Sequence, residues 1–307
     1  MKSICKGEKM EIGITACMPL HIRALLPPGK AGEILLVTSS GVYLQFDSQI
    51  VLLCDAKWGV LPIGIGVTDF DRMLRLLNPR QGQQITVNDH LHFPSRSIPL
   101  VLQPLPSPRK RSHSPRLSLI RQAAEALAAL RKERGISMLV LPHVLGRETE
   151  AVLKINPYCA YAHPWLQQLR AAIPQGDEKS IRQCAEKLLG LGPGLTPSAD
   201  DVFLGMLYIF RTLTEQAPPG AGMFQEAILQ LCSQRTHPIS AAYLKAMLAG
   251  APFERMDRLF SGLCGEEPLD ITLLTQIGSS SGSEMLLGIL IALQICGFDA
   301  SKKEELP

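Results

Sequence analysis

Gly192-Pro193-Gly194-Leu195-Thr196-Pro197-Ser198-Ala199-Asp200-Asp201 runs directly into VFLGMLYIF, residues 202–210. Glycine allows positive φ and close backbone approach, and proline restricts the chain around it. Ser198 or Asp200 is placed to cap a helix that begins near Asp201. The first turn of such a helix can offer N–H groups to an anion. Its paired acids can instead bind a cation, hold a donor group or accept a proton. The stretch decides the fold because nucleotide-binding α/β folds also place a glycine-rich loop before a helix. Here the Gly-Lys-Ser/Thr ending of a P-loop is absent, the spacing is not GxGxxG, and no clear strand precedes it. A plain structural helix start explains the stretch as well as a binding site does.

Outward from this point the chain reads as two regions. The C-terminal side carries helical patterns over 164–172, 178–189, 201–214, 223–232, 239–248 and 284–295, several of them separated by short Gly/Pro loops. Such spacing favours a helical bundle over repeated βαβ units. LSLIRQAAEALAALRKERG, from Leu117, sets Leu119, Ile120, Ala123 and Leu127 at helical spacing and ends at Gly135. Met138 to Leu141 reads as a short buried strand. The N-terminal side is β-like: residues 33–37, 42–46, 50–54, 84–93 and 98–102 read as strands, with a short helix over 69–77. The expected class is therefore α+β, a small β-rich domain over 1–104 and a mainly helical domain over 117–307. Between them PSPRKRSHSPR gives a basic, Pro/Ser-rich linker or loop over 105–116.

Two further stretches resemble the first in chemistry. Gly278-Ser279-Ser280-Ser281-Gly282-Ser283-Glu284 again joins hydroxyls to an acid before an apolar run. Small residues Gly205 and Gly288 would let these two helices approach. If their starts converge, they form a cleft of N–H donors, hydroxyls and carboxylates suited to a small anionic or amide-bearing substrate. In Arg235-Thr236-His237-Pro238-Ile239-Ser240, Thr236 can cap a helix with Pro238 in its first turn, and Arg235 can add charge to an anion pocket. A capped helix with Tyr243 in the core is the stronger reading there.

Composition excludes several classes. With 307 residues and 46% hydrophobic content the chain can bury a sizeable core. A net charge of +3 and 5% aromatic residues give no footing for nucleic-acid binding. The eight cysteines include no CxxC pair, which argues against a zinc knuckle or a disulfide scaffold. HExxH and GxSxG are absent. His90 and His92 share one face of a strand, but two histidines without a third ligand assign no metal. The start has no sustained apolar segment, and MLLGILIALQICG is short for a membrane span of ~20 residues. The expectation is a cytoplasmic protein that contacts neither membrane nor nucleic acid.

GPGLTPSADD at 192–201, THPISAAYL at 236–244 and GSSSGSEMLLG at 278–288 together resemble the AllH family. Its recognised member is a subunit associated with bacterial oxamate carbamoyltransferase. Family loops often read PSGDD where this chain has Ala199, and carry aspartate where it has Glu284. The resemblance implies a carbamoyltransferase subunit that needs hetero-oligomeric partners, working in purine or allantoin nitrogen catabolism. Oxalurate and phosphate would give oxamate and carbamoyl phosphate. On that reading Asp200 and Asp201 are the candidate catalytic groups. Gly192, Gly194, Thr196, Ser198, Arg235, Ser240, Gly278, Ser280, Ser281, Gly282 and Glu284 are the candidate substrate-binding residues. No metal ligand and no resident cofactor is assigned, although the acidic pair leaves Mg²⁺ open. The alternatives are a Mg²⁺-dependent enzyme acting on a small phosphorylated ligand, and a noncatalytic ligand-binding or structural subunit.

Overall fold

Eight short strands close on themselves in the first region: β1 (Ala16–Pro19), β2 (Lys30–Val37), β3 (Gly41–Phe46), β4 (Gln49–Asp55), β5 (Gly64–Val67), β6 (Gln84–Val87), β7 (His90–His92) and β8 (Ser97–Gln103). The computed structural model describes residues 13–104, 113–130, 135–147, 150–299 and 301. Around the barrel the order is β1-β5-β4-β3-β2-β6-β7-β8. The pairs β1–β8 and β4–β5 are parallel, and the remaining pairs are antiparallel. In β3, Val42, Leu44 and Phe46 point inward, while Tyr43 and Gln45 are half-buried. That is the period-two pattern a strand requires. Two helices, α1 (Leu20–Leu25) and α2 (Phe70–Leu77), add Ile22, Phe70, Met73 and Leu77 to the same core.

This geometry corrects the expected α+β class. The strands do not leave an open sheet for helices to cover. β1 pairs with both β5 and β8, so closure removes the edges and the barrel fills its own interior. The strand read over 84–93 is two strands, β6 and β7, antiparallel to each other. β1 and β5 had no counterpart in the sequence reading.

The second region is helical. It contains α3 (Leu117–Ala129), α4 (Val140–His143), α5 (Glu150–Ile155), α6 (Pro157–Gln175), α7 (Glu178–Leu188), α8 (Ser198–Thr212), α9 (Gly220–Arg235), α10 (Pro238–Leu248), α11 (Glu254–Cys264), α12 (Thr272–Thr275) and α13 (Ser281–Ile295). Met138–Leu141 is not a strand. It straddles a 3₁₀ turn over Ser137–Leu139 and the start of α4. A four-residue apolar run carries too little periodicity to separate those states. Of the basic segment read over 105–116, residues 105–112 lie outside the described residues, and the N–H of Arg116 donates to the Leu263 carbonyl at 2.9 Å. The chain divides into one unit of residues 1–108 with 251–254 and a second of 109–250 with 255–307.

In the helical unit, α8 and α13 form the centre. Every residue from Ser198 to Phe210 is buried, and so is every residue from Gly282 to Leu293. A helix apolar on all faces belongs inside a protein. These two touch through their backbones. A Cβ on Gly205 would lie 2.1 Å from the Met285 carbonyl oxygen, and one on Gly288 would lie 1.9 Å from that of Val202. No side chain fits either position while the helices keep this spacing. Phe203 and Phe210 each meet Phe224 of α9 edge to face, with ring centroids 5.1 and 6.0 Å apart. Among the described residues no helix is long and apolar enough to cross a membrane.

The close approach yields a direct test. Gly205→Ala and Gly288→Ala should each lose about 1–3 kcal/mol or more in urea unfolding, as overpacked cores do. Gly222→Ala, on α9, would place its Cβ with nothing within 4 Å. It should be neutral or gain up to about 1 kcal/mol from helix propensity. Equal effects at all three positions would contradict the packing described.

Candidate functional site

The loop before α8 is shaped by Gly190, Gly192 and Gly194, with φ of 82°, 119° and 96°. It folds back over the helix start: the Ala199 N–H donates to the Leu191 carbonyl at 3.0 Å. A Cβ on Gly192 would stand 2.5 Å from both the amide nitrogen and Oγ of Ser198. Neither expected cap residue caps α8. Pro197 is the N-cap, and no side chain bonds to the first turn there.

Asp200 turns away from the loop tip. One of its oxygens accepts from the Gly190 N–H at 2.8 Å. The other accepts from the Ser240 hydroxyl at 2.6 Å and from the Thr236 hydroxyl. The carboxylate thus joins the loop, α8 and the start of α10. Thr236, the expected cap of α10, is taken by this contact. His237 caps instead, its Nδ1 accepting from the Ile239 N–H at 3.3 Å. Burial pushes the Asp200 carboxyl above the ordinary range, and the three hydrogen bonds oppose the shift.

Asp201 faces the second loop. It is 2% exposed, and its Oδ2 has no hydrogen-bond partner. Burial drives its carboxyl well above the usual range, and the charges of Glu284 and Asp200 add to that. Hydrogen bonds from Ser281 and Thr196 pull the other way. Thr196 Oγ1 lies 3.0 Å from Ser281 Oγ, which ties the two loops together. Glu284 is 1% exposed. Its Oε1 accepts from the Ile136 N–H at 3.0 Å and its Oε2 from the Ser280 hydroxyl at 3.3 Å.

A third segment completes the floor, and little in the amino-acid pattern marks it. Gly135 has φ of 82°, and a Cβ there would lie 1.8 Å from Glu284 Oε1 and 3.0 Å from Ser198 Oγ. Only glycine accommodates both the backbone angle and the carboxylate. Asn156 holds this glycine in place: its side-chain amide donates to the Gly135 carbonyl at 2.6 Å while its Oδ1 caps α6. The one available signal was Asn156-Pro157, a cap residue followed by proline at the first helical position. Cys159 sits beside it, its thiol donating to the Gly135 carbonyl at 3.6 Å. Burial, then the Glu284 charge, raises that thiol to about 12, so it is no nucleophile at neutral pH.

The other candidates fall into three places. Ser280 and Ser281 are half-buried beside the carboxylates, and Gly282 is buried, with room for no Cβ against the Leu274 carbonyl. Ser240 is buried against Asp200. Gly194, Arg235 and Gly278 are exposed, and a Cβ on Gly194 would meet nothing within 4 Å.

The chemistry of this floor is electronegative. Two buried carboxylates meet, and Ser198 Oγ and Ser283 Oγ are also buried without a partner. The helix starts do little to offset this. In α8 the N–H groups of Asp200 and Asp201 donate to the Pro197 carbonyl, and Ala199 donates to Leu191. In α13 the N–H groups of Ser283 and Glu284 donate to the Ser280 carbonyl, and Gly282 donates to Ile277. Those donors are spent inside the protein. Among the described residues no group of three or more His, Cys, Asp or Glu could hold a metal ion. The arrangement suits a ligand that brings N–H donors better than one that brings more negative charge.

The family model described as oxamate carbamoyltransferase subunit AllH matches residues 188–293. The match supports assignment to the AllH family. It runs from the last residue of α7 into α13, so the AllH segment contains both acidic helix starts and the Thr236–Ser240 junction. Gly135, Ile136 and Asn156 lie before it. No solved structure matches the chain.

The raised Asp201 carboxyl makes stability depend on pH. A carboxyl whose folded pKa exceeds its unfolded value of about 3.9 favours folding most below that value. The contribution is lost as pH rises toward the folded pKa. Asp201→Asn removes it. The unfolding free energy of Asp201→Asn minus that of the unaltered protein should therefore climb as pH rises above about 4. Parallel stability curves in urea melts would refute the burial effect.

Proposed function

We propose that this chain is a subunit of an oxamate carbamoyltransferase-type assembly in oxalurate and allantoin nitrogen catabolism. Its paired helix starts form part of the substrate site. The observation that carries this reading is the coincidence of the AllH-family match with the residues that build the electronegative floor. In the catabolic direction oxalurate and phosphate give oxamate and carbamoyl phosphate. The bond broken joins the carbamoyl carbon to the oxamate nitrogen, and the bond formed joins that carbon to a phosphate oxygen. The departing nitrogen takes up a proton.

Asp201 and Glu284 suit the nitrogen side of this exchange. Glu284 can hold N–H groups and Asp201 can pass a proton, with no covalent intermediate. Asp200, saturated by three donors, acts as a clasp that fixes the loop and α10 against α8. The phosphate side fits this floor poorly. Two carboxylates repel it, and six first-turn N–H groups are already bonded. The phosphate-binding half of the site is therefore assigned to a partner subunit. Inactivity of the isolated chain follows from that division.

The test is carbamoyl phosphate formation from oxalurate and phosphate, with and without co-purifying partners. Product should appear only in the assembly. Asp201→Ala or Glu284→Ala should lower the rate about 100-fold or more while the assembly still forms, in line with loss of a positioned acid–base group. Full activity in both variants would remove these residues from the site.

A further inference from the structure

Three buried polar atoms around the two helix starts lack protein partners: Asp201 Oδ2, Ser198 Oγ and Ser283 Oγ. Buried polar groups are nearly always bonded, so three orphans on α8 and α13 point to something the site is built to receive. Ser198 Oγ and Glu284 Oε1 stand on the same side of Gly135, each within 3.0 Å of the position a Cβ there would take. The side of Thr196 and Ser281 lies nearest the surface, as both are partly exposed.

The bonding pattern assigns donor and acceptor. Glu284 receives the Ile136 N–H and the Ser280 O–H, both of which require an acceptor. Two carboxylates buried together do not both stay ionised. Glu284 has a backbone donor to stabilise its charge, and Asp201 has only hydroxyls. The shared proton therefore rests on Asp201, and its bare Oδ2 becomes an O–H donor.

We propose that Asp201 and Glu284 are a donor–acceptor pair that recognises a primary amide or ureido group, Asp201 donating to its carbonyl oxygen and Glu284 accepting from its N–H. This rests on the site proposed above and names its specificity residues. A carboxamide matches the pair with one acceptor and two donors. A carboxylate of the same shape offers acceptors only and sets a second negative charge beside Glu284. Sites built to bond an N–H reject analogues that lack it far more strongly than apolar pockets reject a methylene.

Oxamate and oxalate differ only in this group, and titration calorimetry of the full chain and of its assembly with both compounds tests the pairing. Oxamate should bind on the order of 100-fold tighter than oxalate. Asp201→Asn should keep oxamate affinity within about threefold, because a carboxamide side chain still donates, whereas Asp201→Ala and Glu284→Gln should each weaken it about tenfold or more. Thermal melts of each variant separate misfolding from lost recognition. Equal affinity for the two compounds, binding of neither by chain or assembly, or loss of oxamate binding in a well-folded Asp201→Asn would overturn the proposal. Carbamoyl transfer by an assembly that does not distinguish amide from carboxylate would leave the functional assignment standing and remove only this pairing. A clear amide preference without carbamoyl transfer would do the reverse.

Discussion

The close approach of α8 and α13, at Gly205 against Met285 and at Gly288 against Val202, governs the helical unit. Two buried helices meet there backbone to backbone, with carbonyl oxygens where side chains would otherwise stand. Such an approach brings whatever precedes each helix into the same place. Asp201 stands one turn before Gly205, and Glu284 one turn before Gly288. Packing at the helix middle therefore fixes the distance between carboxylates at the helix starts. This is how an apolar core determines the position of polar chemistry, and it needs no contact between the two loops beyond the Thr196–Ser281 pair.

Adjacent acids in one helix turn have opposite fates. Asp200 and Asp201 are equally buried, yet one has every oxygen engaged and the other has an oxygen with no partner. Successive residues on a helix point about 100° apart, so the pair cannot face one cavity. The first is directed at α10 and the second at α13. A satisfied buried carboxylate stabilises a fold, and an unsatisfied one costs stability. Retaining that cost is characteristic of sites that bind something.

Parts of this were legible in the sequence. The buried helices of 201–214 and 284–295 showed as apolar runs behind glycine, hydroxyl and acid, and the small residues at 205 and 288 marked where they could approach. The barrel was not legible. β1 and β5 are four residues each, too short for a period to declare itself, and closure depends on the parallel β1–β8 pairing between residues far apart in the chain. Gly135 and Asn156 are not legible in the sequence because their roles are tertiary. Nothing in a helix-ending glycine indicates that a carboxylate from residue 284 will occupy the space beside it. Side-chain capping at Ser198 and Thr236 does not occur for the same reason: local rules place a hydroxyl at a cap, and in Thr236 a buried carboxylate claims it instead.

The account stands on Asp201 and Glu284 sharing one buried site, and a double-mutant cycle on stability measures that directly. Urea unfolding of Asp201→Asn, Glu284→Gln and the double variant gives their coupling energy at fixed pH. Neighbouring charged groups couple by at least about 0.5–3 kcal/mol, and residues with no shared partner add within about 0.5 kcal/mol. Coupling above about 1 kcal/mol is the predicted result. Strict additivity would mean that the two helix starts do not meet, and the site as described would not exist.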